Sequence, residues 1–136
     1  MLDIHIRTIP HGSQRYNTVG DWVFFEGPSG PALDVLVSEL SNHQRELLIA
    51  VHELVEAFLC EYKGITNEGV DRFDLNFDFE KGGEGEPGDD PRCPYAKPHG
   101  IASSVERLVA TELGVSWSEY EAELGLLALE WKKKRE

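Results

Sequence analysis

Polar and apolar residues alternate at the start of the chain. In LDIHIRTI, residues 2–9, Leu2, Ile4 and Ile6 interleave with Asp3, His5 and Arg7, the period-two pattern of a strand with one buried face. TVGDWVFFE (18–26) is β-branched and aromatic, GPSGP (27–31) spells a turn, and ALDVLVSEL (32–40) is a third apolar run. Three such runs predict a small N-terminal antiparallel sheet.

From Ser41 the period lengthens. Ser41 with Gln44 forms a capping box, and the apolar spacing predicts a helix from about Asn42 to Lys63, stopped by Gly64. NEGVDRFDLNFDF (67–79) reads as a shorter helix, although Phe73, Leu75, Phe77 and Phe79 also alternate as in a strand. EKGGEGEPGDDPRCPYAKP (80–98) is a Gly/Pro/acid-rich loop. Its first half, Gly82 to Asp90, has no apolar area to bury and is expected to be flexible, whereas Cys93 to His99 should be pinned, with Tyr95 packed near the first helix. A helix from His99 to Leu113 follows. The last helix opens on a second capping box, Ser116 and Glu119. Its stripe of Trp117, Tyr120, Leu124, Leu127 and Trp131 faces the core or a partner, so a homo-oligomer through this C-terminal helix is one expectation. The closing KKKR suits a helix C-terminus. The reading is a single α+β domain over residues 1–136: about three strands packed on three to four helices.

The charge narrows the function. With 25 acidic and 13 basic residues the chain carries −12, which argues against a phosphate-backbone binder. Cys60 and Cys93 form no C-x-x-C pair, which fits a reducing cytosol. MLDIHIRTIP lacks a basic region followed by an apolar run, so no signal peptide is expected. No apolar run approaches the ~20 residues needed to cross a bilayer.

The chemistry gathers in LLIAVHELVEAFLCEYKG (47–64), where His52, Glu53 and Glu56 spell H-E-x-x-E. At about 100° per residue, Leu47, Leu48, Val51, Leu54, Val55, Phe58, Leu59 and Tyr62 fill one arc. Arg45, Glu46, His52, Glu53, Glu56 and Cys60 fill the opposite wedge, interrupted by Ile49. The plain alternative is that the wedge is a solvated face. Against it, His52 borders the apolar arc and needs a partner, and Glu56 points the same way one turn later. A third ligand must come from elsewhere. His99 and Glu106, seven residues apart, share a helix strip beside the small residues Ala102, Ser103 and Ala110, so the strip can approach the wedge closely. The expected ligands of zinc, or of another divalent metal, are His52, Glu56 and His99. Glu106 is expected as a fourth ligand or behind the ligands. The plain alternatives are an exposed histidine at a helix start and a solvated acid. Cys60 and Cys93 are competing ligands. Asp74 either orients a ligand histidine from behind or is solvated.

A small sheet followed by a helix bearing H-E-x-x-x resembles the minimal zincin-type metallopeptidases over about ten residues. In that family the glutamate after the first histidine is the general base toward a metal-activated water. The resemblance thus makes Glu53 the base and His52 the first ligand, while Glu56 stands where the family has histidine. Over roughly residues 47–121, the segments VHELVEAFLC, VDRFDLNFD, EPGDDPRCPY and VERLVATELGVSWSEYE are similar to small uncharacterised proteins of tailed-phage and prophage genomes, which implies a bacterial host cytosol. The expected function is a phage-encoded zinc-binding protein like a minimal metallohydrolase, acting on a protein or small substrate. The alternative is a non-catalytic accessory or inhibitor protein with a structural metal. The −12 charge and Glu56 speak for the latter.

Overall fold

A computed structural model describes residues 1–81 and 86–135. The chain runs β1 (Asp3–Ile9), β2 (Gly20–Gly27), β3 (Gly30–Ser38), α1 (His43–Tyr62), α2 (Asn67–Lys81), α3 (Ala96–Glu112) and α4 (Trp117–Lys134), with 3-10 turns at His11–Ser13 and Pro87–Asp89. This is an α+β fold with a three-stranded sheet and four helices.

The sheet is mixed, with strand order β1-β3-β2. Antiparallel pairing holds for the β2–β3 hairpin, which closes through Pro28 and Ser29 between the paired Gly27 and Gly30. β1 instead runs parallel to β3. A two-residue turn forces β2 and β3 together. The longer stretch 10–19 lets the chain pass the end of β3 before the hairpin returns. That crossing is tied down where His11 Nδ1 and Gln14 Nε2 lie 2.9 and 3.1 Å from the Ser38 hydroxyl. The most apolar run takes the centre: Leu33, Val35 and Val37 of β3 are fully buried, whereas nearly all of β1 is exposed.

Helix α1 lies over β2 and β3 and packs lengthwise on α3. Asn42, not Ser41, caps it, accepting from the Arg45 amide; the Ser41 hydroxyl instead donates to Glu123 of α4. The 67–79 segment is helical. Helix α3 starts at Ala96, three residues before His99, with Pro98 in its first turn where a missing N–H costs little. The Ser116 cap holds.

The polar wedge of α1 proves to be its inner side. Leu48, Ile49, Ala50, His52, Glu56, Ala57 and Cys60 are buried, while Leu47, Phe58 and Tyr62 of the apolar arc are exposed, Tyr62 at 88%. Two neighbours explain this. Helix α1 meets the sheet on one side and α3 on the other, where Ala102 and Ala110 of the small-residue strip are buried. The α4 stripe also turns inward: Tyr120 and Trp131 are buried, Trp117 and Leu124 pack against the core, and the Trp131 ring meets His11 edge-on. Of the two uses expected for this stripe, the described contacts show the core-facing one. No described helix is long and apolar enough to cross a membrane.

Candidate metal centre

Where α1 meets α3, three ligand-type atoms form a small triangle. Glu56 Oε2 lies 3.2 Å from His52 Nε2 and 3.0 Å from His99 Nδ1, and the two nitrogens are 3.2 Å apart. His52 and Glu56 are one turn apart on α1, and all three residues are buried. Ligands at ~2.0–2.1 Å from an ion lie ~3.3 Å apart around a tetrahedral centre and ~2.9 Å apart at right angles. The observed sides fall between, so the group can hold a metal ion.

Each corner is held from behind. His52 Nδ1 donates to Glu106 Oε1 at 2.7 Å, which leaves Nε2 as the ring nitrogen facing the triangle. Glu106 does not join the triangle, because its other oxygen accepts from the Tyr120 hydroxyl at 2.6 Å. It stands in the supporting position the sequence left open for it. Glu56 is steered by the Trp22 indole N–H, which donates to Oε1 at 3.0 Å and leaves Oε2 for the triangle. On His99, Nε2 faces Glu86 Oε2 at 3.2 Å and Asp89 Oδ1 at 3.4 Å, so Nδ1 is the inward atom. Glu86, Asp89 and His99 make a second, more exposed ligand-type group that shares this imidazole.

Burial by itself disfavours every charge here, and pairing decides the outcome. It would lower both imidazoles, but the Glu106 and Glu56 hydrogen bonds raise His52 to about 11, and those of Glu56 and Glu86 raise His99 to about 10. It would raise Glu56, yet the bonds from both histidines bring that carboxyl down to about 2. Glu53 has no such bonds among the described residues; burial and then the Glu56 charge push it well above the ordinary carboxylate range. Its side chain lies along the backbone of β2, where a Cβ on Gly20 would come within 2.5 Å of Glu53 Oε1.

All these groups line one cleft of about 590 Å3, walled also by Tyr16, Tyr95, Trp117 and Arg107. Residues 82–85 of the segment expected to be flexible lie outside the described residues. Pro87–Asp89, by contrast, is a 3-10 turn seated on His99, and Gly88 is there because a Cβ would fall 2.3 Å from His99 Cγ. Tyr95 is buried, with its ring edge-on to His99 at 6.4 Å between centroids. Its hydroxyl donates to Asp74, as does that of Tyr16. Asp74 is thus neither solvated nor behind a histidine. Cys60 and Cys93 are buried but join no ligand-type group among the described residues. Burial pushes both thiols up to about 12, which disfavours the thiolate a metal needs.

Sequence reasoning missed Trp22, Tyr120 and Gly88. The first two carried a signal: each is an aromatic with a polar tip in an otherwise apolar run, and a buried tip must find a partner. Gly88 carried none. No protein-family model, curated protein or solved structure matches this chain. What the site can do follows from its geometry.

Proposed function

We propose that the chain is a divalent-metal-binding protein, zinc first, with His52 Nε2, Glu56 Oε2 and His99 Nδ1 as ligands and hydrolysis in the cleft as its chemistry. The observation that carries this is the triangle of three buried atoms 3.0–3.2 Å apart, each aimed by a partner behind it. A bound ion would supply Lewis-acid polarisation of an oxygen. Glu53, which follows His52 on α1 and lines the same cleft, is the group to accept and return a proton. Three protein ligands with access to a cleft suit chemistry; four would suit a closed structural site. The tailed-phage setting belongs to the same proposal and rests on sequence resemblance alone.

Elemental analysis of protein purified without a metal-affinity tag tests the reading. Fewer than about 0.2 ions per chain, with no zinc-dependent rise in melting temperature, would reject it. The second reading is a non-catalytic accessory protein with a structural ion, whose net charge the carboxylate of Glu56 would lower. Glu53→Gln separates the two. A catalytic site loses metal-dependent hydrolysis of peptide or ester probes while keeping its metal; a structural site is unaffected, whereas His52→Ala releases the ion.

A further inference from the structure

Strand β1 ends the sheet with its outer backbone edge uncovered by any described strand. Natural edge strands are usually short, covered, or guarded by proline or by charged side chains, lysine above all. β1 has seven residues with neither proline nor lysine. Its core-side residues are uncovered too. Ile4 and Ile6 are in register with Leu33 and Val35, so they share the face that α1 buries on β3. Leu33 and Val35 are fully buried, yet Ile4 and Ile6 remain 45% and 49% exposed, because α1 lies mainly over β2 and β3.

The sequence of this edge complements itself. Pairing β1 antiparallel with an identical strand about a two-fold axis at His5 sets Asp3 opposite Arg7 and Ile4 opposite Ile6, each twice. The acid–base pairs fall on the outer face and the isoleucines on the core face. Moving the axis to Ile6 sets Arg7 opposite His5, which loses the complementarity. Arg7 is free enough to serve, since its side chain is 61% exposed and its one ion pair among the described residues, to Asp34, is a long 3.9 Å. We infer that β1 is the interface of a two-fold dimer, in which two copies of the chain join through antiparallel β1 strands about His5 into one six-stranded sheet. This is independent of the candidate metal centre, none of whose residues lies in β1.

Sedimentation equilibrium of the full chain and of charge-reversed variants tests it. The wild type is expected to dimerise. Asp3→Arg and Arg7→Asp each place like charges face to face twice and should weaken the dimer roughly tenfold. The double swap should restore the homodimer, and an equimolar mixture of the two single variants should form a heterodimer. Ile6→Lys should give a folded monomer, because the residue is half-exposed. A wild type that stays monomeric at about 1 mM overturns the inference. So does a dimer whose dissociation constant neither charge reversal changes, since that dimer uses another surface.

Discussion

His52 of α1 and Glu106 of α3 are 54 residues apart in sequence, yet Nδ1 and Oε1 are 2.7 Å apart. The bond aims His52 Nε2 at Glu56 and His99. It also gives Glu106, buried and shared with Tyr120, a defined task.

Replacing Glu106 should therefore weaken the proposed metal site without removing a ligand. Glu106→Gln is expected to lower zinc affinity roughly 10–100-fold while stoichiometry stays at one, measured by competition against a chromophoric chelator. Tyr120→Phe, one step further out, should do less. A loss of stoichiometry in Glu106→Gln would make Glu106 a ligand in its own right.

Two glycines near His99 should respond oppositely to alanine. At Gly88 the new Cβ falls 2.3–2.7 Å from the imidazole, so turn or ring must move, and zinc affinity should drop about tenfold or more. At Gly100, one residue beyond His99 on α3, nothing lies within 4 Å of the new Cβ. Gly100→Ala should leave affinity alone and stabilise the helix by up to ~1 kcal/mol. Chelator competition and urea unfolding of both variants check the contrast.

Asp74 should make stability depend on pH. Burial, against the bonds from Tyr95 and Tyr16, raises its carboxyl from 3.8 to about 6. The folded state then holds the proton more tightly than the unfolded chain, so this residue costs stability when ionised. The cost builds as pH rises from about 4 to about 6 and is relieved as pH falls through the same window. Asp74→Asn should remove that slope. Unfolding free energies of the two proteins should diverge by ~2–3 kcal/mol between pH 4 and pH 7, and parallel curves would contradict the assignment.

Much of this molecule is written locally. Strong periodicity over long segments gave α1 and α4 their extents, and the Pro-Ser turn made the β2–β3 hairpin inevitable. Spacing of four put His52 and Glu56 on one side of α1, and the small residues of α3 announced a close helix contact. These features depend on neighbours in sequence, which is why a sequence shows them.

Long-range choices were decided only by the fold. Nothing local says that β3 inserts beside β1, making that pair parallel, because strand order depends on which runs compete for the buried centre. A helical wheel also cannot say which of two faces turns inward. α1 buries its polar side because α3, Trp22 and His99 supply that side's hydrogen bonds, leaving Phe58 and Tyr62 in the open. The supports of the triangle, Trp22, Tyr120 and Gly88, come from a strand, a distant helix and a loop. Only packing in three dimensions brings an indole N–H, a phenol and a missing side chain to the same few ångströms.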